Sequence, residues 1–115
     1  MDMLLLGESL TFEINDEHYG FWMPAGGNDG VAAIEVFFAD DPTEITVSME
    51  TKASDDDDAS PTTIGTLVLS SATWPKVFKF DVADAQDLVR YHIENANGDP
   101  ARLHFQLVQP LWAPN

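Results

Sequence analysis

Two stretches of alternating apolar and polar side chains within residues 87–112 constrain the fold of this chain more than any other feature. Their apolar members are Val89, Tyr91 and Ile93 in the first stretch and Leu103, Phe105 and Leu107 in the second. A period of two is the pattern of a β-strand that buries one face. The intervening residues 95–100 include Asn97, Gly98 and Pro100, which are typical of turns. The pattern therefore predicts a β-hairpin whose two arms flank this turn.

The same period recurs through most of the remaining chain. It is carried by segments near residues 9–14, 18–23, 31–38, 43–52, 64–70 and 77–82, with turns rich in Gly, Pro and Asp between them. In the third of these segments it predicts that Ile34, Val36 and Phe38 share one face. No segment has the apolar period of an amphipathic helix. We predict an all-β fold of eight or nine strands in one domain, residues 1–115. The arrangement expected is an antiparallel two-sheet β-sandwich, of which the jelly roll is one form.

The charge balance bears on the class of partner. The chain has 20 acidic and 5 basic side chains, which give a formal net charge of -15. Nucleic-acid binding depends on lysine and arginine side chains that neutralise phosphates, so we expect no nucleic-acid partner. The excess of acid has two other interpretations. One is solubility, including solubility in saline surroundings where ions screen the repulsion, and the other is docking onto a surface with complementary cations.

The N-terminal sequence and the absence of cysteine bear on the compartment. The run M-D-M-L-L-L-G has no basic residue and is too short for a secretory signal or a membrane span. Without cysteine the chain has neither a disulfide framework nor a thiolate nucleophile. We therefore expect a protein that is made and kept in the cytoplasm, or assembled there into something larger, with no membrane partner.

Two groups of residues invite a metal hypothesis. In the predicted hairpin, His92 and His104 lie on the polar faces of the two arms, where one register sets them opposite each other as zinc ligands. No further ligand is marked by spacing, so two surface histidines are the simpler interpretation. The aspartates of residues 55–58 offer calcium ligands, but the EF-hand spacing is absent, and a solvated loop tip fits better. We expect no metal site and no cofactor.

Catalytic motifs are also missing. There is no G-x-S-x-G sequence and no serine in a recognisable nucleophile context, and acidic residues are too abundant to single out a catalytic pair. We predict a protein that is not an enzyme. The aromatic residues leave two interpretations open, because they either close the ends of the sandwich or stack on sugar rings. The candidates are Tyr19, Trp22, Phe37, Trp74 and Trp112.

Short motifs in the C-terminal two-thirds of the chain resemble a group of small proteins from tailed bacteriophages and prophages. The motifs are S-M-E-T-K at residues 48–52, L-V-R-Y at 88–91, L-H-F at 103–105 and L-V-Q-P-L-W at 107–112. The resemblance implies a non-enzymatic virion structural protein of β-sandwich fold. Such a protein is a decoration or cement protein that binds and stabilises the capsid lattice, or else a tail or neck component.

The resemblance further implies partners and a location. The partners are the major capsid protein or other virion proteins, and the location is the capsid surface after assembly in the host cytoplasm. A homo-oligomer is expected, and trimers are common where decoration proteins meet three-fold positions. A carbohydrate-binding β-sandwich module is the competing class.

The two ends of the chain are the candidate contact regions. An N-terminal arm, residues 1–7, is rich in apolar side chains that would gain from burial in a neighbour. A C-terminal tail, residues 110–115, places a tryptophan between two prolines, and this indole either packs back on the domain or anchors in a neighbouring subunit. The candidate interaction residues are Met3, Leu4, Leu5, Leu6, Pro110, Leu111 and Trp112.

Overall fold

The computed structural model describes residues 5–12, 16–55, 60–96 and 100–113, and for 5–12 it describes the backbone alone. These residues form nine strands and one short 3-10 helix at Pro42–Glu44. The strands are β1 (Leu5–Phe12), β2 (Glu17–Tyr19), β3 (Met23–Pro24), β4 (Gly30–Ala39), β5 (Ile45–Lys52), β6 (Thr62–Val68), β7 (Lys76–Val82), β8 (Leu88–Asn95) and β9 (Ala101–Trp112). The all-β prediction is confirmed.

The strands form two antiparallel sheets with jelly-roll topology. One sheet has the order β1-β9-β4-β7, and the other has the order β2-β8-β5-β6 with β3 also paired to β8. Antiparallel pairs are nested around the connection between β5 and β6: β4 pairs with β7, β2 with β8, and β1 with β9. With β2 and β3 counted as one interrupted strand, this is an eight-stranded jelly roll.

The core lies between the two sheets and is built from the alternate residues of each strand. The largest fully buried side chains include Ile34, Met49, Tyr91 and Phe105. Each of these projects from a strand whose neighbouring positions point outward, as period two requires. The predicted inward residues of β8 and β9 are all buried, so the alternation identified the core face of both strands correctly.

The predicted hairpin between these two strands does not exist. β8 pairs with β5, β2 and β3, whereas β9 pairs with β1 and β4 in the opposite sheet. The chain therefore crosses from one sheet to the other between Asn95 and Ala101. Two half-buried strands can bury their apolar faces as neighbours in one sheet or as members of two sheets that face each other across a core. The alternation of apolar and polar residues does not distinguish these arrangements.

A β-bulge changes which residues of β4 are buried. The register shifts between Val36 and Phe38, where β4 has one residue more than β9. The extra residue reverses the alternation, so Phe38 is 41% exposed and Ala39 is buried in its place. The prediction that Phe38 shares a face with Ile34 and Val36 is therefore wrong.

The predicted arm and tail belong in part to the sheet. β1 begins at Leu5 and pairs with β9, so residues 5–7 are a strand and not an arm. At the other end, β9 continues through Pro110 to Trp112, which pairs with Gly30. Pro110 is accommodated because β9 has an extra residue between Val108 and Leu111, and bulges tolerate a residue without an amide hydrogen.

Candidate functional site

The outer face of the five-stranded sheet carries a buried layer of polar side chains. On β5, Ser48, Glu50 and Lys52 point away from the core, yet each is only 8% exposed. β8 pairs with β5 so that Ser48 lies beside His92 and Glu50 beside Arg90. The alternation along residues 43–52 predicts a solvent-exposed polar face for this strand, whereas these polar side chains are buried. Charged groups withdrawn from water require partners, and the partners here form a connected cluster.

An aromatic cover shields this layer. The guanidinium of Arg90 lies 4.3 Å from the ring centroid of Tyr19 and 4.4 Å from that of Trp22. The ammonium of Lys52 lies 5.1 Å from the Trp22 ring centroid. Both aromatic residues come from the segment of β2 and β3 that follows the edge of β8, so the interrupted strand brings the rings over the cations. Each contact has cation–π geometry.

Charged groups continue in a chain from Arg90 toward the sheet edge. Arg90 Nε donates to Glu50 Oε1 at 2.8 Å, and Glu50 Oε2 lies 3.5 Å from His92 Nδ1. The second ring nitrogen of the same imidazole, Nε2, lies 3.1 Å from Glu17 Oε1. The ring itself stacks on Tyr19 with a centroid separation of 4.4 Å and an interplanar angle of 3°. His92 is therefore held on three sides.

Two carboxyl groups meet at the end of this chain. Glu17 and Glu94 are direct cross-strand partners in β2 and β8. Their mutual hydrogen bond lowers the pKa of Glu17 and raises the pKa of Glu94. Ligand atoms of Glu17, His92 and Glu94 all lie within 4.8 Å of one another. This group, the Glu17–His92–Glu94 cluster, is most stable when a proton or another cation lies between the carboxylates.

The register that would set His92 opposite His104 is not formed. His92 is on the outer face of the five-stranded sheet, whereas His104 is on β9 in the other sheet, exposed and 5.1 Å from the Phe37 ring. The two imidazoles lie on opposite sides of the sandwich, because β8 and β9 bury their apolar faces against each other. Of the acidic run, Asp55 is exposed, and Asp56, Asp57 and Asp58 lie outside the described residues.

The second distinctive surface is an apolar groove on the outer face of the four-stranded sheet. Its volume is about 530 Å³, and its lining is mostly aliphatic: Val31, Ala33, Val77, Val108 and Leu111, with Glu35, Lys79 and Gln109. Val77 is 46% exposed and Leu111 is 55% exposed. An outward sheet face in a chain this acidic is expected to be polar, so contiguous aliphatic side chains are unusual there.

Some of the candidate interaction residues lie at this groove, and others are part of the sheet or the core. Leu111 lines the groove, and the backbone of Leu5 pairs with Val108 at its margin. Leu6 pairs with Leu107, and Pro110 is buried. The indole of Trp112 packs back on its own domain against Gly26 and Gly30. Met3 and Leu4 lie outside the described residues.

The candidate aromatic residues include some that pack against the core and some that are exposed. Trp74 packs against the core and lies 6.3 Å from the Phe78 ring, so it closes one part of the sandwich. Tyr19, which stacks on His92, is 44% exposed, and Phe21 is 64% exposed at a cavity that Met23 and Tyr91 also line. Sequence reasoning noted Tyr19 and Trp22 but missed Glu17, Glu50 and Glu94, because polar alternation is the same on every solvated strand face.

No family model matches the chain, and no curated protein matches it. The resemblance to phage proteins therefore depends on the short motifs alone. The helix at Pro42–Glu44 is one turn long, and no helix in the described ranges is long and apolar enough to cross a bilayer.

Proposed function

We propose that this protein is a non-enzymatic virion structural protein that docks on a phage capsid lattice and stabilises it, as decoration proteins do. The observation that carries the proposal is the aliphatic groove on the outer face of the four-stranded sheet. Its exposed members Val77 and Leu111 lose contact with water only when another surface covers them. Burial of such side chains contributes about 25 cal/mol per Å².

The groove has the composition of a protein contact. Aliphatic side chains form its centre, and Glu35, Lys79 and Gln109 add polar groups among them. A hydrophobic centre with a polar rim is the usual organisation of a protein interface. Lys76 and Lys79 lie exposed on β7, so this sheet carries cations in a chain of net charge -15. Local cations reduce repulsion as an acidic protein approaches a large assembly.

The fold and the sequence motifs add support of a weaker kind. Jelly rolls include viral capsid domains as well as lectins, so the fold is compatible with the role without deciding it. The motif L-V-Q-P-L-W, which carries part of the phage resemblance, contributes Val108, Gln109 and Leu111 to the groove.

Co-sedimentation with capsids assembled from the major capsid protein of the same phage genome tests the proposal. We expect saturable binding at many copies per particle, and a loss of affinity of at least about tenfold in Val77→Asp and Leu111→Asp. Val68→Asp is the matched control, because Val68 is 54% exposed on the other sheet. Folded protein that does not bind capsids, or that loses binding equally in all three variants, would contradict the proposal. A few copies per particle would indicate a neck or tail component instead.

Carbohydrate binding is the second candidate, and a specific observation favours it. Tyr19 stacks on His92 of the polar cluster and is 44% exposed, and Phe21, two residues further along the chain, is 64% exposed. Sugar rings stack on exposed aromatic side chains while neighbouring polar groups bind their hydroxyls. A glycan array followed by titration of tryptophan fluorescence tests this function. Binding that survives Phe21→Ala, or no binding to any glycan, would exclude this surface as the sugar site.

A further inference from the structure

We propose that the Glu17–His92–Glu94 cluster binds one divalent transition-metal ion, of the zinc type, on the outer face of the five-stranded sheet. This site is separate from the apolar groove, and the proposal does not depend on capsid binding. It also differs from the metal hypotheses that the sequence suggested, which concerned His92 with His104 and the aspartate run.

The register of β2 and β8 places the three ligands on one face. Glu17 is the direct partner of Glu94, and His92 is two residues along β8 from Glu94, so their side chains project in the same direction. Like charges directly opposite each other destabilise a sheet. In a chain of net charge -15 this opposition is particularly unfavourable unless a cation offsets it.

The second observation is the arrangement behind the imidazole. Histidine ligands of metals usually have a carboxylate at the ring nitrogen that does not bind the metal, which fixes the orientation of the ring. Here Glu50 Oε2 lies 3.5 Å from His92 Nδ1, and Arg90 holds Glu50 from the other side at 2.8 Å. Stacking on Tyr19 fixes the plane of the ring. The supporting groups thus leave Nε2 directed toward Glu17, whose carboxyl group also meets that of Glu94.

Ligand chemistry selects the class of ion. An imidazole nitrogen with carboxylate oxygens suits zinc and related transition metals, whereas calcium and magnesium prefer ligand sets made of oxygen alone. A tetrahedral zinc site has ligand atoms about 3.3 Å apart, as follows from bond lengths near 2.0 Å. His92 Nε2 and Glu17 Oε1 are already 3.1 Å apart, and the Glu17 side chain is 40% exposed. Three protein ligands leave a fourth position for water or for a group from a partner.

Calorimetric titration of the EDTA-treated full-length protein with Zn²⁺ tests the site. We expect one ion per chain and a loss of affinity of at least about tenfold in each of His92→Ala, Glu17→Gln and Glu94→Gln. His104→Ala is the matched control, since it removes an exposed histidine from the other sheet. A second control replaces the four aspartates of residues 55–58 by asparagine. Neither control should change the affinity.

Spectroscopy on the same protein identifies the ligands. Co²⁺ in the site should give visible absorption bands that vanish in His92→Ala and persist in His104→Ala. Absence of saturable Zn²⁺ binding, or binding that survives His92→Ala, would overturn the proposal and leave the cluster as a proton-bridged ion pair. The groove variant Leu111→Asp should bind Zn²⁺ as the unmodified protein does, so failure of this proposal and failure of capsid docking are distinguishable.

Discussion

The phenol hydroxyl of Tyr91 reaches across the sandwich and donates to the carbonyl oxygen of Val108, which links β8 of one sheet to β9 of the other. The same hydroxyl accepts from the amide of Ala33 at 3.1 Å and lies 3.1 Å from the carbonyl oxygen of that residue. Both partners lie where the ladder between β4 and β9 shifts register. Tyr91 thus satisfies backbone groups at a bulge in the opposite sheet.

Tyr91→Phe should lower the free energy of unfolding by about 1–3 kcal/mol, because it leaves buried backbone groups of Ala33 and Val108 without a partner. Urea unfolding followed by circular dichroism measures the change. Tyr19→Phe is the control, since that hydroxyl is exposed and donates to the Glu17 carboxylate at 3.4 Å. Equal stability of the two variants would show that the hydroxyl bridge contributes nothing.

Alkaline pH should destabilise the fold through the same residue. Burial raises the pKa of Tyr91 from the usual 10.0 to about 12. Since the folded state disfavours the phenolate, this stabilisation is complete below pH 10 and is lost as the pH rises toward 12. The loss is about 1.4 kcal/mol per pH unit and about 3 kcal/mol in all. Tyr91→Phe should unfold with a smaller pH dependence in this range, and identical slopes for the two proteins would contradict the assignment.

Gly65→Ala should lower the free energy of unfolding, because Gly65 lies where β6 of one sheet approaches β7 of the other. A Cβ atom at Gly65 would lie 2.5 Å from the Asp81 carbonyl oxygen and 2.8 Å from a methyl group of Val82. The backbone must shift to relieve this overlap, at a cost of about 1–3 kcal/mol. Gly20→Ala is the matched control, because its nearest contact would be an ordinary 3.6 Å. Thermal unfolding of both variants measures the difference, and a neutral Gly65→Ala would show that the sheets separate readily there.

Arg90→Lys should lower the free energy of unfolding by about 1 kcal/mol although it keeps the charge. Lysine has no planar group that stacks on Tyr19 and Trp22 while bonding to Glu50. Arg102→Lys is the comparison, because Arg102 is 65% exposed and its pairing with Asp40 is solvated, so little change is expected. Chemical unfolding of both variants measures the contrast, and a loss at Arg90 no larger than that at Arg102 would mean that the buried position of the Arg90 contacts adds no stability.

The alternation of apolar and polar residues predicted the strands and their buried faces because it is a property of each strand by itself. It did not predict the pairing of β8 and β9 correctly, because strand pairing depends on the whole chain. Their apolar faces meet across the core, and the alternation of Tyr91 and Phe105 is the same in either arrangement. The exposure of Phe38 was missed for a related reason, since a bulge is defined by two strands together and one strand's sequence does not reveal it.

The candidate sites were predictable only in part. Leu111 was a candidate contact residue from its position near the C-terminus, yet most of its neighbours in the groove come from β4 and β7, which the sequence does not connect to it. His92 was identified as a possible ligand, but Glu17 became its neighbour only through the pairing of β2 with β8. Sites assembled from distant segments require the topology before their chemistry can be recognised.

Strand β8 lies between the polar cluster and the apolar groove. Arg90 and His92 hold the polar cluster on its outer side, and Tyr91 between them bonds through the core to Ala33 and Val108, which line the groove on the far side of the molecule. The polar cluster and the groove are therefore both connected to β8, through the three consecutive residues 90–92. We therefore expect that a displacement of β8 at one surface would also shift the backbone of Ala33 and Val108 beneath the other.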